Sequence, residues 1–254
     1  MRERLIVTDV AAMDSGVCIA GYVGARSTRP VLPEGGGIPW AYLRDESGNF
    51  VEPLTEVEIN LLKHTPRPPH TEDRLIDGTG RIRIVRRLPE PEAQSFLRRV
   101  CRGSVTDLFG AEIVDRRYIL PGQGHSSLGT LRVSRITWLD LDRDEDRGRD
   151  QFTLGFADST GMSYRLRVTD VAFREHCRRT WERTSGRRDL AAIRVRERLN
   201  DAEEIFLRIG LSRPFEPGPG VGRRCYLMVT GVYTFPSYLD APWAEYYAAL
   251  SELG

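Results

Sequence analysis

Arg4-Leu5-Ile6-Val7-Thr8-Asp9-Val10 reads as a strand, and the chain writes it again as Arg165-Leu166-Arg167-Val168-Thr169-Asp170-Val171. A second echo follows each copy. Arg29-Pro30-Val31-Leu32-Pro33-Glu34-Gly35-Gly36-Gly37 comes after the first, and Arg213-Pro214-Phe215-Glu216-Pro217-Gly218-Pro219-Gly220 after the second. Two short matches in the same order predict a duplicated β unit. The gap between the later pair is wider because it holds helical sequence. On this reading Arg29 and Arg213 occupy equivalent positions in two superimposable units.

Strands dominate the surroundings. Residues 4–10 and 17–23 predict a hairpin. Segments 130–141, 151–158, 205–211 and 225–233 are further strands, and Phe152, Leu154 and Phe156 share one face. Arg81-Ile82-Arg83-Ile84-Val85 and Tyr164-Arg165-Leu166-Arg167-Val168 alternate arginine with apolar residues, so each sets a basic face against a buried one. Helices are few. Thr55–Leu62 has Thr55 as cap and Glu58 at capping-box spacing. Pro91–Val100 puts Ala93, Phe96, Leu97 and Val100 on one stripe. Phe173, Cys177 and Trp181 recur every four residues until Gly186, and Asp189 caps a further helix to about Ala202.

Proline forces Thr65–His70 to run extended. Pro30–Pro39 and Pro121–Gly129 are loops, and Asp142–Asp150 is a charged hairpin tip. The whole predicts a mainly β protein with a few helices, built as two tandem OB-like small barrels. The first spans residues 1–125 with helical insertions; the second spans 126–254 with an inserted helix pair. SH3-like barrels and sandwiches give similar patterns.

A chain of 254 residues, 40% hydrophobic and 29% charged, is an ordinary globular protein with room for a real core. No apolar run approaches a membrane span, and Met1-Arg2-Glu3-Arg4 leads into a strand rather than a signal peptide, so a cytoplasmic location without membrane partner is expected. Cys18, Cys101, Cys177 and Cys225 form no C-x-x-C pair and read as thiols. Net charge is +1, yet of 37 basic residues only Lys63 is a lysine. A GC-rich genome explains that bias; arginine also binds phosphate bidentately. The balanced charge confines any anion-binding surface to a local stripe.

Several strings carry a resemblance. They are Arg4–Val10, Cys18-Ile19-Ala20-Gly21-Tyr22, Arg29-Pro30-Val31, Gly37-Ile38-Pro39-Trp40 and Pro68-Pro69-His70-Thr71-Glu72-Asp73. Leu207–Pro214 and Gly231–Leu239 complete them. From about Arg4 to Leu239 the chain resembles the bacterial dual OB-containing domain family. The resemblance implies two OB-like barrels and nucleic-acid binding, in the setting of prokaryotic defence loci. It brings no catalytic residues, and a fold alone does not give a function.

Two loops combine arginine with aromatic rings. One gathers Arg26, Arg29, Trp40, Tyr42 and Arg44; the other Arg208, Arg213, Arg223 and Arg224, with Tyr226 and Tyr233 nearby. Cations that track phosphates beside rings that stack on bases suit single strands, each stack being worth about 1–3 kcal/mol. Trp40 either stacks a base or packs the barrel end. His70-Thr71-Glu72-Asp73 carries groups able to ligate a metal or act as acid and base. Four adjacent residues cannot all converge on one ion, so anchoring of the proline-rich segment is the simpler account. Asp140, Asp142, Asp144 and Asp146 alternate as in a calcium loop, but Glu145 and Gln151 break the pattern. Gly218–Gly222 lacks nucleotide-loop spacing. No cofactor or metal is expected. The leading expectation is a non-enzymatic protein that binds single-stranded DNA or RNA. The alternatives are an adaptor for a protein partner in a defence complex and a metal-dependent nuclease centred on His70, Glu72 and Asp73.

Overall fold

The computed structural model describes residues 2–78, 80–144 and 148–251. Glu145 and Asp146 of the charged tip lie outside the described residues. The first half opens with a meander of β1 (Arg2–Met13), β2 (Gly16–Val23) and β3 (Arg26–Val31). A 3-10 turn at Trp40–Leu43 then leads to β4 (Thr55–His64), β5 (Asp73–Ile76) and β6 (Arg83–Arg87). β1 works twice: Arg2–Val7 pairs with β4, and Ile6–Met13 pairs with β2. β3 and β5 run parallel. The circuit β1-β2-β3-β5-β4 therefore closes back on β1, with β6 on the free edge of β4.

Next come α1 (Glu90–Val100), β7 (Cys101–Arg102), α2 (Val105–Phe109) and β8 (Tyr118–Ile119). Then follow β9 (Leu128–Val133), β10 (Ile136–Asp144), β11 (Arg149–Ala157) and β12 (Ser163–Val168). The chain ends with α3 (Val171–Arg183), α4 (Arg188–Asn200), β13 (Glu204–Leu211), β14 (Cys225–Phe235) and α5 (Trp243–Ser251). β9 and β10 act as two halves of one bent strand. β9 pairs with β13, and β10 pairs with β11. β12 and β14 are parallel. The order β10-β11-β12-β14-β13-β9 repeats the circuit of the first half. α3 and α4 occupy the connection that the 3-10 turn fills in the first barrel. β7 and β8, which precede residue 126, join the second half through β9 and β14.

Two sequence expectations change. Thr55–Leu62 is a strand, not a helix. Val57, Ile59 and Leu61 point into the barrel while Glu56, Glu58 and Asn60 face outward, a period of two. Pairing with β1 and β6 overrides the capping-box spacing of Thr55 and Glu58. The repeated motif is likewise no duplication. Arg4–Val10 lies on the first strand of its barrel, whereas Arg165–Val168 lies on the third strand of the other. Arg29 sits on a third strand, and Arg213 follows a fourth. The two Asp residues also differ in role, since Asp170 caps α3 by accepting the Phe173 N–H. The echoes do touch, because the Ala12 N–H donates to the Thr169 carbonyl at 2.8 Å. A smaller change is at α4, which starts at Arg188 with Asp189 inside its first turn rather than capping it.

That contact belongs to a long seam. Val171, Ala172, Phe206, Tyr233, Phe235 and Trp243 pack into the core cluster of the first barrel. All eight residues of β13 are buried, because one face lines its own barrel and the other meets the neighbour. Apolar surface removed from water here serves both halves at once.

Candidate nucleic-acid interface

Arginine reaches three kinds of place. The first is the seam. Arg208 is 0% exposed. Its Nε donates to Asp9 at 2.8 Å, and its Nη1 donates to the Tyr22 hydroxyl at 2.7 Å and to Thr130 Oγ1 at 3.0 Å. Thr8 and Thr230 also donate to Asp9, and the Tyr233 hydroxyl donates to the Thr8 carbonyl at 2.6 Å. Burial works against the charge on Arg208, but Asp9 beside it more than offsets this and raises its pKa. Arg208 and Tyr233 are thus removed from the expected binding surface: the carboxylate that claims Arg208 lies 199 residues away in sequence.

The second place is a junction beside the seam. Arg29 is buried and donates to Asp73 at 2.7 Å. Arg213 grips the other oxygen of Asp73 at 2.6 Å. The structure therefore does bring Arg29 and Arg213 together, on one carboxylate rather than at equivalent positions. Glu72 accepts from the Ser127 N–H at 3.0 Å and from its hydroxyl at 2.6 Å. Thr71 donates to the His125 carbonyl at 2.6 Å, and His70 Nε2 to the Ser212 carbonyl at 3.1 Å. Burial, aided by Arg29 and Arg213, pushes His70 down to about 4, so it is neutral at pH 7. The His-Thr-Glu-Asp segment is a zipper between the halves, its carboxylates already taken. Among the described residues no three His, Cys, Asp or Glu side chains gather as a metal site.

The other selected residues are scattered. Tyr42 is buried, and burial followed by Asp77 pushes its hydroxyl up to about 12. Trp40 is half-buried with its ring 6.3 Å from that of Tyr247. Arg44 lies 3.7 Å over the Phe50 ring and donates to the Gly48 carbonyl. Arg26 is exposed, 3.8 Å from Glu3. In the β13–β14 loop, Arg223 donates to the Pro214 carbonyl, and Arg224 lies 4.2 Å over Tyr118.

The third place is the outer face of the second barrel, whose tryptophan the sequence reading did not select. Trp138 on β10 stands opposite Gly155 on β11, and Gly155 opposite Arg165 on β12. The three form one row across three strands. Trp138 is 41% exposed, and the Arg165 guanidinium lies 4.4 Å over its ring. A Cβ at Gly155 would come within 2.6 Å of the Trp138 Cβ, so glycine makes room for the indole. A register shift between Ile136 and Trp138 turns Ile136 inward and leaves Trp138 outside. The next row is Asp140, Thr153 and Arg167. Leu139, Leu141, Leu154 and Leu166 fill the inner side. Among the described residues neither Arg165 nor Arg167 belongs to an ion pair. The signal for the arginines was the alternation in residues 164–168; nothing nearby in sequence pointed to Trp138.

Each half closes a five-strand circuit in the same order, with the third and fifth strands parallel, which defines a protein of two OB barrels. The model of the dual OB-containing domain family matches residues 3–232, and the chain belongs to that family. No curated protein matches it. A solved structure of a murine DNA binding protein bound with ds DNA is similar over 91% of this chain and 99% of that chain, at 10% identity. Its TM-score of 0.29 is too low to bear on fold or function.

Proposed function

We propose that this protein binds single-stranded nucleic acid on the outer face of β10, β11 and β12, without catalysing a reaction on it. The observation that carries the reading is the Trp138–Gly155–Arg165 row. Trp138 is 41% exposed, and a base stacks on its indole once the Arg165 guanidinium that lies over the ring swings out toward a phosphate, while Arg167, which has no ion pair among the described residues, stands two residues further along β12 to meet the next one. Single strands fit better than a duplex because stacking on Trp138 requires an unpaired base. Asp140 on the same face keeps the surface short of a continuous basic stripe, which favours a few local contacts over a long electrostatic track.

The test is fluorescence anisotropy with labelled single- and double-stranded DNA and RNA at several salt concentrations. Single strands should bind more tightly than duplexes, with affinity falling as salt rises. Absence of binding to every probe at low ionic strength would reject the reading. A second reading, an adaptor in a multi-component defence assembly, draws support from Phe215 and Val221, which stand 58% and 45% exposed. Co-purification of a stable protein partner lost in a Phe215→Ser variant would favour it.

A further inference from the structure

Between α3, α4 and residues 238–240 lies a cavity of about 190 Å³. We infer that it holds a phosphate group, gripped by Arg194 and Arg198 of α4 and met at the floor by His176 of α3. The volume is below the roughly 300 Å³ at which sites for drug-sized ligands begin, and it suits a small oxyanion. Arg194 and Arg198 are four residues apart, so they are neighbours on one face of α4. Both are exposed, and among the described residues neither belongs to an ion pair. Arg198 Nη2 donates to the Ser237 carbonyl at 3.2 Å, which holds the side chain beside the cavity and leaves its charge uncompensated. Two guanidinium forks can share the oxygens of one phosphate.

The floor makes this more than a pair of surface arginines. His176 is 6% exposed and lines the cavity, yet neither ring nitrogen makes a hydrogen bond among the described residues. Its Nδ1 is 3.9 Å from Asp240, too far for one. A buried polar group without a partner calls for one. Burial chiefly keeps the ring neutral at pH 7, with the charges of Arg183, Arg198 and Arg179 adding to it and Asp240 opposing it. A neutral imidazole still donates one N–H. The Thr180 hydroxyl is spent on the His176 carbonyl at 2.9 Å. Asp240, the carboxylate on the wall, is occupied as well, since it accepts from Arg183 and from the Tyr246 hydroxyl. An entering anion therefore meets two uncompensated cations and one compensated carboxylate. A phosphate can arrive as the free ion or as the 5′ end of a strand, and the recognising chemistry is the same. This site shares no residue with the Trp138 face, so it stands or falls separately from strand binding.

Isothermal titration of the full chain, in chloride buffer of fixed ionic strength, tests the inference. The titrants are inorganic phosphate and one short oligonucleotide carrying either a 5′-phosphate or a 5′-hydroxyl. Phosphate should bind at millimolar concentration or below. Arg194→Ala and Arg198→Ala should each weaken it by about tenfold, while Trp138→Ala leaves it unchanged. Both arginines are exposed, so their variants should keep the parent's melting temperature. In proton NMR, phosphate should shift the ring signals of His176 and leave those of His70 in place. A gain from the 5′-phosphate that disappears in Arg194→Ala supports the site with a strand end as its source; binding of inorganic phosphate without that gain supports it with the free ion. No binding of phosphate in either form, full affinity in Arg194→Ala and Arg198→Ala, or His176 signals that phosphate does not move would overturn it.

Discussion

β13 and β12 are neighbours of β14 on opposite sides, and both carry arginine between apolar residues, yet they use it in opposite ways. Leu207-Arg208-Ile209 and Tyr164-Arg165-Leu166 look alike locally. β13 is buried along both faces, so Arg208 has no water and must find a carboxylate, which Asp9 supplies. β12 alternates between exposed and buried residues, so Arg165 reaches solvent and rests on an indole. What a strand arginine does is decided by what lies across the strand, not by what lies beside it in sequence.

The largest expected effect separates the two arginines. Arg208→Ala leaves the Asp9 carboxylate buried without its cation, a loss of about 3–5 kcal/mol. Arg165→Ala should stay within about 0.5 kcal/mol. Denaturant unfolding of both variants measures the gap, and equal losses would break the comparison.

Acid should attack the interior next. His70 and His176 are both pushed down to about 4, chiefly by burial. Their neutral forms are stable in the fold above pH 6.5. As pH falls from there toward 4 the unfolded chain gains the protons first, and each histidine costs on the order of 3 kcal/mol by pH 4. Asp170 runs the other way. Burial raises its carboxyl to about 7, so the stability this confers is present below about 3.8 and lost as pH rises through 7. Unfolding midpoints from pH 4 to 8 should therefore fall less steeply toward acid in His70→Gln than in the parent. An identical profile would place His70 in a wetter site than the structure shows.

The surface effects are smaller. Trp138→Ala should weaken single-strand binding by about 1–3 kcal/mol with an unchanged melting temperature. Anisotropy and a thermal melt on the same sample check both halves of that statement. Smallest is the salt dependence. Arg165→Ala and Arg167→Ala should each flatten the log–log slope by about 0.7. Arg29→Ala should leave it unchanged, because Asp73 already consumes that charge. A flatter slope in Arg29→Ala would move the binding surface to the first barrel.

Much of the fold was legible because it rests on local patterns. Period-two alternation marked residues 151–158 and 164–168, and the stripe at Ala93, Phe96 and Leu97 marked α1. The exception is instructive: Thr55 and Glu58 carry a capping spacing, while Val57, Ile59 and Leu61 carry a strand, and two neighbouring strands decided the matter. Of the site, only the basic face of residues 164–168 was visible. Arg29, Arg208 and Tyr233 looked available because Asp73, Asp9 and Thr8 are remote in sequence. One cue did exist: Ile205-Phe206-Leu207-Arg208-Ile209-Gly210-Leu211 is an almost unbroken apolar run, the mark of a strand covered on both sides. Trp138 offered no such cue, since its exposure depends on a register shift and on a glycine in the next strand.

The double burial of β13 also limits how this chain can be divided. Severed near residue 125, the leading fragment would keep Asp9 and lose its cation, and the trailing fragment would keep Arg208 and lose its anion. Each would also uncover apolar side chains that now sit against the other. Neither fragment should fold by itself, and calorimetry of the intact chain should show one transition rather than two. A lineage carrying this architecture must then inherit both barrels together, and shuffling either into another protein would need the seam to be rebuilt first.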